Sequence, residues 1–352
     1  MFDFEPNNII NQDLRKIISA ELPWQSLKDK KLCITGATGF LGSYLVKTFL
    51  ALNESFNLNL RINCIVRDLN RIEKRLKYCS SKNNINFYES NIIEPLPLIV
   101  SESNFFIHAA SIASPKYFGK FPIETLEANT IATYNILKNL KENYLEKFLY
   151  FSSGEIYGIQ KNDNLQINED SYGYLDHLQL RTCYAESKKM AENMCQSFSF
   201  EKNLKFSIVR PFHTYGPSID LNDGRVFSDF VSDVINNQDI ILKSAGHSKR
   251  SFCYISEATI GFLTVLLKGQ NKEAYNIGNP TQNISMKDLA SKIISIVPEK
   301  KLKIQYNDHP INYLKSNLSE ALPSIEKIKK LGWNPKIDLS EGFSRTIKSF
   351  EE

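Results

Sequence analysis

Tyr184 and Lys188 stand four residues apart in RTCYAESKKMAENMC, residues 181–195. In a helix that spacing puts a phenol and an ammonium on one face, where both act on a common point. With 16 Tyr and 43 Lys+Arg in 352 residues, about two Tyr-to-basic pairs at this spacing arise by chance, so context must decide. A phenol with a pKa of about 10 is a poor base at neutral pH, and nearby positive charge favours the phenolate that would take a proton from an alcohol. FSSGEIYG adds Ser152 and Ser153 as hydroxyl donors, completing an acid–base set.

Such a set needs elements to position it. KKLCITGATGFLGSYLVKTFL reads as a buried strand, a tight glycine turn and a helix. LRINCIVRD, NINFYES, NFFIHAA, KFLYFSS and FSIVRPF read as five more strands, with helical patterns such as IETLEANTIATYNILKNLKE between several of them. Short apolar strands alternating with helices predict an α/β chain whose parallel sheet is wrapped on both faces. FSSGEIYG follows the fifth strand, and active sites of open α/β sheets gather at the carboxyl ends of strands. Leu14, Ile17, Ile18 and Leu22 fall at helical spacing between Asn11 and Leu22, with Pro23 stopping the run, which predicts a short amphipathic helix that packs on the main domain. After Pro217 the pattern loosens into SIDLNDGRVFSDFVSDVINNQ, SMKDLASKIISIV and SIEKIKKLGWNP, a smaller and mostly helical lobe. The expected division is residues 1–28, a helical extension; 29–215, a doubly wound Rossmann-type domain; and 216–352, a substrate lobe, with residues near 250–278 returning to the first sheet.

Gly36, Gly39 and Gly42 form G-x-x-G-x-x-G directly after the first strand and at the start of a helix. Glycine suits a backbone that turns with positive φ and lets a pyrophosphate approach main-chain N–H groups, while the helix N-terminus offers unpaired donors. Dinucleotide binding follows, and a tyrosine beside a nicotinamide can deprotonate a substrate alcohol as hydride leaves the same carbon. The second strand ends in Arg67-Asp68, where an acid normally accepts hydrogen bonds from the adenosine ribose. Arg67, with Arg71 and Lys74 nearby, suits a 2′-phosphate; Asp68 suits the ribose. NAD and NADP both stay open, and solvated surface arginines are the bland alternative.

Bulk composition narrows the partners. Hydrophobic content of 42%, charge of 23% and a net charge of +4 describe an ordinary globular protein that suits an anionic small molecule and lacks the long basic stripe of a nucleic-acid binder. The six cysteines include no C-x-x-C pair, so buried reduced thiols are expected and no metal site. No apolar run reaches the ~18 residues of a membrane span, and MFDFEPNN lacks a basic segment followed by an apolar one, so a cytoplasmic protein is expected.

ITGATGFLG, HAASIASP, SSGEIYG, YAESK, RPFHTYGP and RSFCYI resemble the signature blocks of extended short-chain dehydrogenase/reductases that act on nucleotide sugars, from about Lys31 to the C-terminus. Ala113-Ser114-Pro115 followed by Tyr117, the segment around Tyr184 and LNDGRV at 221–226 are most similar to UDP-glucuronate decarboxylases, with dTDP-glucose 4,6-dehydratases the neighbouring branch. The resemblance implies Tyr184 as base, Lys188 as its electrostatic partner and ribose ligand, Ser153 as donor to the sugar C4 oxygen and Glu155 as a helper at C5. It implies cofactor contacts at Gly36, Thr38, Gly39, Phe40, Leu41, Gly42, Arg67, Asp68, Asn91, Ile92, Ala109, Ala110 and Pro211. Substrate contacts are implied at Ser114, Tyr117, Arg181, His213, Arg225 and Arg250, the last gripping the diphosphate of the nucleotide sugar.

Three positions depart from the family pattern. Gly154 replaces the dehydratases' proton-donating aspartate, His213 replaces an asparagine at the substrate, and Arg67 replaces the ribose-binding acid. The expected enzyme oxidises C4 of a nucleotide-linked sugar and then acts at C5 or C6; Gly154 favours loss of carbon dioxide, which needs no acid there. A 4,6-dehydratase, a 4-epimerase and an NADPH-dependent 4-keto-sugar reductase are the enzymatic alternatives, and a non-catalytic redox sensor is the alternative of another class. Apolar faces on helices near 123–141 and 184–200 imply, with the resemblance, a homodimer through a four-helix bundle. Abundant Asn, Lys and Ile point to an AT-rich bacterial genome and surface-polysaccharide synthesis.

Overall fold

The computed structural model describes residues 5–160, 166–307 and 320–352. Residues 1–4 of the expected N-terminal extension and 308–319 of the expected C-terminal lobe lie outside the described residues. The six anticipated strands form: β1 (Lys31–Thr35), β2 (Arg61–Val66), β3 (Ile85–Glu89), β4 (Phe105–His108), β5 (Lys147–Phe151) and β6 (Phe206–Pro211). All pair in parallel, and β10 (Glu273–Ile277) joins beside β6, giving the order β3-β2-β1-β4-β5-β6-β10. This is the Rossmann-type sheet. Its central strands are apolar in their middles because helices cover both faces: Leu32, Cys33, Ile34, Phe106, Ile107, Phe148 and Leu149 are fully buried.

Between β1 and β4 the chain first winds outward to β2 and β3 and later returns, so a crevice opens at the carboxyl ends of those two strands. The helices that flank it are α1 (Asn8–Ile18), α2 (Phe40–Phe56), α3 (Ile72–Arg75), α4 (Pro115–Phe118), α5 (Pro122–Asn129), α6 (Ile131–Asn139) and α7 (Cys183–Lys202). The expected single helix near 123–141 is two, interrupted at Thr130, whose φ is stretched to −101° within the right-handed helical region. Its hydroxyl bonds back to the Leu126 carbonyl at 2.7 Å, a local alternative that bends helices.

The expected helix at 11–22 runs instead from Asn8 to Ile18, started by the Asn7 side chain accepting the Ile10 N–H at 3.0 Å. It packs against α2, α9 (Ile255–Lys268) and α12 (Leu339–Glu351), with Leu14 and Ile17 fully buried in the principal core.

Beyond Tyr215 the chain is less helical than expected. Besides α8 (Val226–Ile235), α9 (Ile255–Lys268), α10 (Met286–Ile296), α11 (Glu326–Lys329) and α12 (Leu339–Glu351), short strands build two further sheets. β9 (Lys249–Tyr254) pairs with β7 (His213–Tyr215), β11 (Asn283–Ser285) and β13 (Glu320–Ala321), and β8 (Ile240–Leu242) pairs with β12 (Ile304–Tyr306). The β7–β9 pairing matters for the site because it sets His213 opposite Phe252, two residues from Arg250. Among the described residues no helix is long and apolar enough to cross a membrane.

Candidate active site

The glycine turn is built as its composition requires. Gly36 has φ +74°, and a Cβ on it would lie 2.6 Å from the Ala110 nitrogen, so only glycine fits between β1 and the end of β4. A Cβ on Gly42 would meet the Gly36 carbonyl oxygen at 2.1 Å, so the third glycine lets α2 sit directly on the turn. Gly39 caps α2 without a side-chain hydrogen bond, and the first turn holds no acid, which leaves backbone donors for an anion. Phe40 and Leu41 pack their side chains inward. Ala109 and Ala110 are tied to β1 through Thr35. These residues fit a dinucleotide pyrophosphate. Gly42→Ala is expected to weaken NAD binding at least tenfold, read by fluorescence titration; affinity within twofold of wild type would contradict the steric argument.

Other expected cofactor contacts sit at the crevice rim with local engagements. Arg67 is exposed, Asp68 accepts the Asn70 N–H at 3.0 Å, and Asn91 donates to Glu94 at 3.1 Å. Asn135 donates to the Ile92 carbonyl, and Pro211 pairs with Ile277. Arg75 was not anticipated. Its guanidinium reaches the Thr38 carbonyl of the glycine turn at 3.0 Å and the Ser218 carbonyl at 3.2 Å, fastening the turn to the C-terminal segment. His108 was missed too: it is buried between Thr35 and Thr133 at 2.7 and 3.1 Å, and burial lowers its pKa to about 3, so it is a neutral hydrogen-bonding strut.

Tyr184 and Ser153 meet. Tyr184 opens α7, buried and stacked on Phe118 with ring centroids 4.8 Å apart, a contact that fixes the ring plane. Ser153, at the end of β5, stands close enough to the Tyr184 phenol to act on its proton affinity, and its hydroxyl accepts the Glu155 N–H at 3.2 Å. Burial raises the phenol pKa, the Glu155 charge adds to the rise, and Ser153 and Arg225 oppose it. The expected help from Lys188 takes another form. Its ammonium donates to the Phe151 carbonyl at 2.7 Å and lies 5.9 Å from the Tyr184 ring centroid, so it braces α7 against β5.

Burial lowers the Lys188 pKa to about 7. An unfolded lysine titrates near ~10.4, so between those values the unfolded chain holds a proton that the folded chain does not. This residue therefore makes stability rise with pH from about 7 to about 10, and its burial cost is present in full below about 7. In urea denaturation at pH 7 and pH 9.5, Lys188→Met is expected to lose that rise; parallel pH dependence in both proteins would contradict it.

The groups expected to bind the substrate's anionic part come from separate segments. Burial, and after it the charges of Arg250, Arg225 and Arg181, lower the His213 pKa well below the usual imidazole range and keep it neutral. Among the described residues its Nδ1 is buried without a hydrogen-bond partner, as are the Ser152 hydroxyl and Arg181 Nε. Arg181 holds Glu155 through both terminal nitrogens, at 3.1 and 3.4 Å. Arg225 is bonded to Asp223, which sequence reasoning missed, through its backbone N–H and its guanidinium. The Ser114 hydroxyl donates to the Asp223 carbonyl, so this expected substrate contact joins the 220–225 loop to α4. Tyr117 is half-buried, its ring 6.0 Å from that of Phe121.

Residues 32–278 match the model of the "NAD dependent epimerase/dehydratase family". The chain belongs to that family. This family member is an enzyme and its cofactor is NAD. It is 30% identical to UDP-glucuronic acid decarboxylase 4 of Arabidopsis thaliana over 92% of this chain and 69% of that protein. In fold it is similar to UDP-glucuronic acid 4-epimerase from Bacillus cereus, solved with UDP-glucuronic acid and NAD, at TM-score 0.78 and 20% identity over 91% of this chain and 99% of that one. It is also similar to dTDP-glucose 4,6-dehydratase from Bacillus anthracis, solved with NAD, at TM-score 0.75 and 19% identity over 92% and 96%.

Proposed function

We propose that this NAD-dependent enzyme is a UDP-glucuronate decarboxylase. The observation that carries the reading is the wall at position 154. A Cβ on Gly154 would lie 3.2 Å from the Phe212 ring, so an apolar surface stands where a hexose dehydratase needs a proton donor for its leaving hydroxyl. Loss of carbon dioxide from a 4-keto hexuronate needs no such donor. The decarboxylase relatives support the same choice.

Tyr184 takes the proton of the C4 alcohol, and Ser153 holds the C4 oxygen by a hydrogen bond. When bound, NAD supplies the two-electron acceptor and donor. With C4 a ketone, the C5 carboxylate is β to the carbonyl and leaves as carbon dioxide, its bonding electrons passing to the C4 oxygen that Ser153 and Tyr184 stabilise. C5 then takes a proton, C4 is reduced again and regains its proton from Tyr184, leaving a xylose unit. Arg250 and Arg225 suit the diphosphate. Incubation with UDP-glucuronate is expected to release one carbon dioxide per UDP-xylose; UDP-galacturonate as the product would overturn the reading.

The same proposal includes a homodimer. Ile123, Leu126, Ile131, Tyr134 and Met190 are exposed on α5, α6 and α7, three helices that pack on one another, and a second copy of the chain would cover them. Sedimentation at micromolar concentration is expected to give twice the chain mass, and a monomer would contradict it. Six free thiols, five of them buried, suit the cytoplasm.

A further inference from the structure

The guanidinium groups near the site are held very differently. Arg225 is bonded to Asp223 through its backbone N–H at 2.8 Å and its Nε at 2.6 Å. Arg210 spends its donors on both oxygens of Glu192, the Tyr157 hydroxyl and the Glu169 carbonyl. The hydrogen bonds of Arg181 go to Glu155 at 3.1 and 3.4 Å, longer than the usual 2.7–2.9 Å of a charge-assisted bond, and its Nε is buried with no acceptor among the described residues. A buried donor without an acceptor is costly, and a ligand that accepts from it relieves the cost.

Both partners also line a cavity of about 150 Å³, so a small anion can approach the pair without unpacking the core. Asp176, the other acid in that lining, is turned onto its own loop, accepting the Leu178 N–H and the Gln179 amide at 3.1 Å each. The pair stands beside the reacting groups, since the Glu155 charge acts on Tyr184 and the Arg181 charge on His213.

We infer that Arg181 is a carboxylate-exchange residue: it pairs with Glu155 in this structure and passes to the C6 carboxylate of a hexuronate when the sugar nucleotide binds. The inference rests on the decarboxylase reading. One carboxylate replaces another on the same guanidinium, so no charge is left without a counter-ion on Arg181, and Glu155 is released beside the reacting carbons. A hexose with a neutral hydroxymethyl at C6 cannot displace Glu155. Arg181 thereby sets the preference for an acidic sugar.

Calorimetric affinities of the NAD-loaded protein for UDP-glucuronate and UDP-glucose test this, with UDP alone confirming that each variant is folded. Wild type is expected to bind the uronate at least tenfold more tightly. Arg181→Gln brings the two affinities within about threefold by weakening the uronate, and Arg181→Lys keeps part of the preference. Glu155→Gln removes the competing carboxylate, so its affinity for the uronate rises by about threefold or more while that for UDP-glucose stays put. Full preference in Arg181→Gln, or weaker uronate binding in Glu155→Gln, overturns the exchange alone. A wild type indifferent to the uronate overturns it together with the decarboxylase reading, which sets the two failures apart.

Discussion

Tyr184→Phe lowers turnover of UDP-glucuronate by about 10²–10⁴-fold, the usual contribution of a positioned general base, while binding of the sugar nucleotide stays within threefold. The reason is that only one atom is lost. Phenylalanine keeps the stack on Phe118 and the buried volume at the head of α7, so α7 and Ser153 stay in place. The hydroxyl that meets Ser153 disappears, and with it the acceptor for the C4 proton. Because burial and Glu155 both raise the phenol pKa, the wild-type rate is expected to climb with pH across the neutral range. The variant should lose that climb. A variant that retains more than a tenth of the wild-type rate would remove Tyr184 from the proposed role.

Asp13→Ala is expected to cost about 3 kcal/mol of stability, the lower end of the range for breaking a buried ion pair, because Arg345 is partly exposed. Asp13 is fully buried in the middle of α1. Its carboxylate accepts from Tyr44 at 3.0 Å, Tyr254 at 2.8 Å and Arg345 at 2.8 Å, joining α1 to α2, the end of β9 and α12. Alanine leaves the buried Tyr44 and Tyr254 hydroxyls without their acceptor and takes the buried counter-ion from Arg345. Urea denaturation measures the loss, and a change below about 1 kcal/mol would mean that α1 is held by its apolar face alone.

That network also shows what a sequence reveals and what it hides. The apolar stripe of α1 was legible as Leu14 and Ile17, but the acid within the stripe was the sign that the helix belongs to the core, and its partners lie up to 332 residues away. β1, β2, β4, β5 and β6 were legible because inner strands of a parallel sheet are buried on both faces and read as largely apolar runs, and the edge strand β3 by its short apolar and aromatic segment. β7, β8, β11 and β12 were not, since three residues carry no periodicity. The glycine turn was legible because a missing Cβ is a property of residue type. The Glu155–Arg181 pair was not, because its members are 26 residues apart and meet only when the loop after β5 returns to α7. Arg75 and Asp223 were hidden for the same reason: surface-type residues acquire their roles from loop packing.

Transient oxidation of C4 by a cofactor that never leaves is the claim on which the proposed chemistry depends. UDP-glucuronate carrying deuterium on C4 tests it most directly, with the product examined by NMR after turnover in ordinary water without added nicotinamide. The expected result is UDP-xylose with the deuterium still on C4 and a primary isotope effect on the rate. Deuterium absent from C4, or turnover that demands a stoichiometric supply of NADPH, would contradict it.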